Sequence, residues 1–209
     1  MIVVIDYGMG NLRSVSKALE SLGASVRVSS DPHEIAQAQK LILPGVGAFP
    51  AAIRELSARK LIEPIKAAIN RGVPYLGICL GLQLLFDSSD EGEAAVGLSV
   101  LKGRVTRLTA ALPLKIPHMG WNQVTTRQET GDKRQETCPL LKGIPEKSFF
   151  YFVHSYAAQP VDRSIITLEA QYGEPVTAMV WQRNLFATQF HPEKSQALGV
   201  TLLKNFIEL

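Results

Sequence analysis

Short apolar runs alternate with stretches of helical periodicity through the first half of the chain, and this alternation constrains the fold more than any other feature. Ile2–Ile5 reads as a buried strand, and Asp6-Tyr7-Gly8-Met9-Gly10-Asn11 as a turn, with Asn11 placed to cap a helix. Leu12, Val15, Leu19 and Leu22 then recur at helical spacing, and Gly23 ends that helix. Further strands are predicted at Ser25–Val28, Leu41–Leu43 and Tyr75–Ile78, with a turn over Pro44-Gly45-Val46-Gly47. Helical patterns cover Ala51–Ser57, Leu61–Ile69 and Gly81–Phe86. Strands separated by helices imply βαβ units, hence a parallel sheet covered on both faces.

The second half reads differently. Val100–Leu108, Trp121–Thr125, Phe149–Tyr156, Ser164–Gln171, Val176–Trp181 and Leu185–Phe190 are strand candidates with few helices between them. They predict an antiparallel extension of the same sheet, closed by a helix over Ser195–Leu209. The expected fold class is therefore α/β: one doubly wound, mixed, centrally parallel sheet with helices on both faces. No composition shift marks a boundary, so residues 1–209 read as a single domain. The polar stretch Glu129–Glu136 reads as a flexible loop.

Composition removes several function classes. A net charge of +3, with no Lys/Arg run longer than two, argues against nucleic acid. No apolar run reaches the ~20 residues of a membrane helix, and no basic, apolar leader precedes Ile2. The two cysteines, Cys79 and Cys138, make neither a disulfide framework nor a zinc motif. A reduced, cytoplasmic protein without metal or cofactor is expected.

Gly77-Ile78-Cys79-Leu80-Gly81 lies between a predicted strand and a predicted helix. With Cys in place of Ser, it is the elbow that presents a nucleophile on a sharp turn. The glycines remove side chains that would collide there. The sulfur then sits at a helix N-terminus, which favours thiolate, and the Leu80 N–H is free to face an oxyanion. A buried structural cysteine between packing glycines is the competing reading. A thiol nucleophile needs a base, and His191-Pro192-Glu193 follows the strand Leu185–Phe190. In extended geometry His191 and Glu193 project to one side, as a base and its orienting carboxylate must. Sites in parallel sheets gather at the carboxyl ends of strands, where Cys79, His191 and the Pro44–Gly47 turn all fall. Of the other histidines, His33 reads as a surface residue, His118 as a turn residue and His154 as a satisfied core histidine. Cys138 has no elbow and no nearby base, and reads as structural.

These residues together resemble the class I (triad) glutamine amidotransferases. Gly77-Ile78-Cys79-Leu80-Gly81-Leu82-Gln83 is similar to that family's nucleophile motif and His191-Pro192-Glu193 to its second motif. Asp6–Leu12, Pro44–Gly47, Pro117-His118-Met119-Gly120-Trp121-Asn122, Phe152–Tyr156 and His191–Ser195 resemble, more narrowly, the glutaminase subunits of imidazole glycerol phosphate synthases. The likeness spans essentially the whole chain and implies a flavodoxin-like sheet. It implies that Cys79 attacks the glutamine carboxamide to form a glutamyl thioester, that His191 moves the protons, and that Glu193 holds His191. The Leu80 N–H and the Val46–Gly47 peptide would form the oxyanion hole. Gly45, Gln83, His154, Ser155 and Tyr156 would contact glutamine.

The same resemblance implies a partner. Ammonia would pass to a separate cyclase subunit, a (β/α)8 barrel that by itself takes ~250 residues and so cannot lie within this chain. Asn11, Met119, Trp121, Tyr151 and Lys194 would lie at or near the interface, with Lys194 available for an ion pair across it. Three alternatives stay open on the sequence. One is the glutaminase of another synthase, against which Met119-Gly120-Trp121-Asn122 argues. Another is a non-catalytic binding module, for which Gly8 and Gly10 alone are weak support. The last is a cysteine peptidase or esterase-like hydrolase with a similar elbow.

Overall fold

A computed structural model of the chain describes residues 1–93, 95–109, 114–127 and 138–209. The stretch Glu129–Glu136, expected as a loop, lies outside the described residues.

The first half forms β1 (Ile2–Ile5), α1 (Leu12–Ser21), β2 (Val26–Ser29), α2 (Pro32–Ala36), β3 (Lys40–Gly45), α3 (Phe49–Ala58) and α4 (Ile62–Asn70). Next come β4 (Tyr75–Cys79), α5 (Leu80–Gln83), β5 (Ser88–Ser89), β6 (Ala95–Val96) and β7 (Gly103–Arg107). The remainder is β8 (His118–Thr126), β9 (Phe149–His154), β10 (Tyr156–Pro160), β11 (Ile166–Gln171), β12 (Pro175–Gln182), β13 (Leu185–Thr188) and α6 (Gln196–Glu208).

A nine-stranded sheet runs in the order β2-β1-β3-β4-β13-β12-β11-β8-β9. Its β2, β1, β3, β4 and β13 pair in parallel. From β13 to β9 the pairing is antiparallel. Alternation along β1 divides the core between the two faces. Val3 and Ile5 pack with α2, α3 and α4 through Ile35, Phe49, Leu56 and Ile65. Ile2 and Val4 pack with α1 and α6 through Val15, Leu19, Leu202 and Phe206. The expected doubly wound α/β architecture is present.

Several expectations are corrected. The second half does not only extend the main sheet. β10, β7, β5 and β6 make a separate four-stranded sheet. The predicted single strand Phe149–Tyr156 breaks at Ser155, with β9 in the large sheet and β10 in the small one. Both flanks are apolar, so composition carries no sign of the break. Pro44 and Gly45 are strand residues that pair with Ile78 and Cys79, not part of a turn. The helix expected over Gly81–Phe86 is the short α5. His118 stands in β8, paired with His154 of β9, not in a turn.

Candidate active site

The β4–α5 junction has the geometry of a nucleophile elbow. Cys79 adopts φ +55° and ψ −105°, a conformation costly for a residue with a side chain. The chain can turn there because Gly77 and Gly81, two residues to either side, lack Cβ atoms. A Cβ on Gly81 would lie 1.9 Å from the Leu43 carbonyl oxygen, and one on Gly77 would lie 2.5 Å from that of Gly81. Because α5 has only four residues, its dipole is a smaller influence on the sulfur than the expected longer helix.

The base arrives on the neighbouring strand. β13 pairs with β4 in parallel register, Thr188 opposite Ile78, so the chain leaving β13 passes beside Cys79. Backbone bonds then fix His191: its N–H donates to Tyr151 O at 2.9 Å, and its carbonyl accepts from Ser195 Oγ at 2.7 Å. His191 Nδ1 and Glu193 Oε1 lie 2.9 Å apart. Glu193 does not reach the ring by strand alternation. His191 is extended, but Pro192–Lys194 is a 3-10 turn that swings the carboxylate back.

Burial alone would depress the His191 basicity, but the neighbouring Cys79 and Glu193 groups outweigh it and hold the pKa up to about 9. The thiol thus acts closely on the ring. It does so without the alignment of a formed hydrogen bond, for His191 Nε2 is buried and finds no hydrogen-bond partner among the described residues. That atom is left to exchange a proton with sulfur or substrate.

Cys79 opens into a cavity of about 430 Å³, which Val46, Gly47, Leu80, Gln83, His154, Ser155, Tyr156 and Lys194 also line. Gly45 does not line it. A Cβ there would lie 2.7 Å from Leu80 Cβ and 2.7 Å from the Tyr7 hydroxyl, so Gly45 serves close packing beneath the elbow. Gly47 has φ +101°, a conformation that suits glycine. Glu91 lines the cavity too, anchored by the Phe49 N–H at 2.8 Å, and sequence reasoning missed it.

Gln83 is buried rather than on a helix surface, and its Nε2 donates to Tyr156 O at 2.8 Å and to Gln189 Oε1 at 3.1 Å. Gln189 is the second missed residue: its Nε2 donates to Cys79 Sγ at 3.5 Å. Strand alternation carried two residues back from His191, along the extended stretch that follows β13, would have pointed to it.

His154 is a satisfied core histidine that also borders the cavity. Its Nδ1 lies 2.8 Å from Tyr156 O, and its Nε2 lies 2.9 Å from His118 Nδ1. His118 stacks between Phe152 and Tyr172, at centroid distances of 4.7 and 4.0 Å. Burial pushes His154 down to about 3 and His118 down to about 4, so both rings are neutral at pH 7. His33 is exposed, as expected. Cys138 is buried, and its thiol is pushed up to about 12.

Three of the residues assigned to an interface meet beside the triad. Trp121 and Tyr151 meet edge to face at 6.2 Å, and Lys194 Nζ lies 5.8 Å from the Tyr151 ring. Met119 is 62 % and Trp121 46 % exposed. Asn11 stands at the N-cap of α1, but its side chain makes no cap bond there. Its Nδ2 instead lies 3.4 Å from Glu193 Oε1.

A three-layer α/β sheet with a cysteine elbow, a buried His–Glu pair and a shared cavity defines a class of enzyme, and the comparisons agree with it. The chain belongs to the class-I glutamine amidotransferase family, whose profile, described as Glutamine amidotransferase class-I, matches residues 3–209. More particularly, it is 49 % identical to the imidazole glycerol phosphate synthase subunit HisH of Syntrophotalea carbinolica, over 99 % of this chain and 98 % of that one. It is also 49 % identical to the HisH subunit of Moorella thermoacetica, over 100 % and 94 % of the two chains. Among solved structures, a glutamine amidotransferase superposes with a TM-score of 0.74 at 17 % identity, covering 100 % and 98 % of the chains. A chain of the PurLQS structure from Thermotoga maritima gives 0.72 at 20 %, covering 99 % and 95 %. At these identities the structures speak for the fold alone.

Proposed function

We propose that this chain is the glutaminase subunit of an imidazole glycerol phosphate synthase in histidine biosynthesis, a single amidotransferase domain over residues 1–209. The observation that carries the chemistry is the buried 2.9 Å pair of His191 and Glu193 placed against the strained Cys79.

The steps follow from the geometry. Cys79 sulfur attacks the side-chain carboxamide carbon of glutamine, and the carbonyl oxygen takes up the displaced electron pair. The Leu80 N–H, with the Val46–Gly47 peptide as second donor, receives that oxyanion; a missing donor typically costs ~10²–10³ in rate. His191, held protonated by Glu193, gives its Nε2 proton to the leaving nitrogen, and the C–N bond breaks to release ammonia and a glutamyl thioester. His191, now neutral, takes a proton from water, which attacks the thioester. Glutamate leaves and the Cys79–His191 pair is restored.

Within the cavity, the Glu91 carboxylate suits the α-ammonium of glutamine, and Gln83 and the His154–Tyr156 segment line the path to the sulfur. A separate cyclase subunit, a (β/α)8 barrel, docks on the Asn11, Met119, Trp121, Tyr151 and Lys194 surface. It consumes the ammonia to form imidazole glycerol phosphate and an aminoimidazole carboxamide ribotide. The reaction is cytoplasmic. Among the described residues no helix is long and apolar enough to cross a membrane.

Glutamate release is the test, measured for the chain alone, with a cyclase subunit, and with the cyclase and its nucleotide ligand, each beside Cys79→Ala. Strong release only in the ligated complex, absent in Cys79→Ala, is expected. Release unaffected by the cyclase would overturn the partner assignment, and release by Cys79→Ala would overturn the nucleophile.

A further inference from the structure

Gln189 has no part in the steps above, yet it touches the reacting sulfur. It lies one residue beyond β13, fully buried, and its backbone N–H donates to Ala178 O at 2.8 Å. Its side chain therefore starts from a fixed point and reaches two groups, Gln83 on one side and Cys79 on the other.

The orientation of this amide follows from its neighbours. The Tyr156 carbonyl can only accept, so the Gln83 atom facing it at 2.8 Å is the donor Nε2. That same Nε2 faces the Gln189 side chain at 3.1 Å, which must therefore present its oxygen. Gln189 is left with its Nε2 toward Cys79 Sγ at 3.5 Å. A fixed carbonyl thus sets Gln83, Gln83 sets Gln189, and Gln189 is forced to offer a proton to sulfur.

Beside the His191 ring and Tyr7, which also bear on the sulfur, one further polar neighbour has the opposite preference to Gln189. Val153 O lies 3.8 Å from Sγ and can accept only from a thiol S–H. The two contacts select different protonation states of Cys79. An N–H donor strengthens its bond as sulfur becomes negative. It weakens again when the sulfur is a neutral thioester. Such a contact acts on the free nucleophile and on collapse of the tetrahedral intermediate, not on glutamine binding.

We propose that Gln189 is a positioning residue that holds the Cys79 sulfur in its nucleophilic, deprotonated form, with its donor amide oriented by Gln83. This rests on the reading of Cys79 as nucleophile. Gln189→Met keeps the length of the side chain and removes the donor.

In the cyclase complex, Gln189→Met should lower kcat for glutamine about tenfold, the size of one lost hydrogen bond, with KM little changed. Alkylation of Cys79 by iodoacetamide should move to higher pH relative to the unmodified chain, with Cys79→Ala correcting for Cys138. Co-elution with the cyclase and an unchanged melting temperature show that the variant folds and docks. Should it fail to fold, Gln189→Asn withdraws the same amide by one methylene and is read in the same way. An alkylation profile that superimposes on that of the unmodified chain overturns the proposal, whether or not turnover falls. Glutamate release by Cys79→Ala would instead remove the nucleophile reading itself.

Discussion

His191 Nδ1 stands 2.9 Å from Glu193 Oε1, and the two side chains are 1 % and 0 % exposed. A carboxylate so buried, with Oε2 finding no hydrogen-bond partner among the described residues, is tolerable only beside a positive charge. The pair therefore keeps the imidazolium in place before glutamine arrives.

Replacing the carboxylate should be felt in turnover and in the pH dependence of stability. Glu193→Gln is expected to lower kcat at least about 100-fold, as loss of an orienting carboxylate does in other triads. His191 is raised from 6.5 in the unfolded chain to about 9 when folded. Its contribution is thus complete below pH 6.5 and is lost as pH rises toward 9. Urea titrations between pH 6 and 9.5 should show stability falling on that limb in the parent chain, and a flatter limb in Glu193→Gln.

The elbow predicts an inversion of a common rule. Glycine is ordinarily the less stable choice beside alanine, but at φ +55° the Cβ of Cys79 is the liability. Cys79→Gly should be more stable than Cys79→Ala by about 1–2 kcal/mol, both without glutaminase activity. Denaturant midpoints of the two variants decide it, and equal midpoints would show that the elbow stores no strain.

The neutral histidine pair acts with the opposite sign to His191. Burial pushes His118 from 6.5 to about 4 and His154 from 6.5 to about 3. Their contribution is complete above pH 6.5 and is lost as pH falls toward 4 and then 3. Each unit of such a shift corresponds to about 1.4 kcal/mol. The acid limb of the stability curve should be steep in the parent chain and shallower in His118→Phe, which keeps the stack on Phe152 and Tyr172.

Trp121 tests the docking surface. It is 46 % exposed and rests edge-on against Tyr151. Trp121→Ala should leave the melting temperature of the isolated chain nearly unchanged and weaken cyclase binding about tenfold or more, as loss of a buried aromatic anchor does. Titration calorimetry on the two proteins measures this, and unaltered affinity would move the interface elsewhere.

The elbow was legible because two glycines flank the nucleophile within five residues; Gly77 answers a contact made by the turn itself, whereas Gly81 lies against Leu43 of the neighbouring β3, a reason the sequence does not show. Most helix and strand positions through Tyr75–Cys79 were legible because the apolar period is written in each segment; the five-residue α2 was not among the predicted helical patterns, and the end of β3 at Pro44–Gly45 read as a turn. What escaped depends on partners distant in sequence. Nothing near Ser155 signals that β9 and β10 join different sheets. His118 looks like a turn residue until Phe152 and Tyr172 close over it. Glu91 and Gln189 gain meaning only when the Phe49 amide and the Cys79 sulfur are brought to them. The pairing of His191 with Glu193 was expected, but through a straight strand, and a 3-10 turn achieves it instead.

The parallel register of β4 with β13 has a bearing on how this scaffold can change. Nucleophile and base leave adjacent strands, so their separation is measured out by the backbone ladder rather than by any loop. Connections elsewhere can lengthen or shorten over generations without retuning that spacing. A slip of β13 by a single residue would be another matter. Every side chain on it would turn to the opposite face, and His191 would be carried out of line with the sulfur. The ladder between two strands is thus the gauge to which the chemistry is built, which leaves the periphery free to be redrawn for different companions.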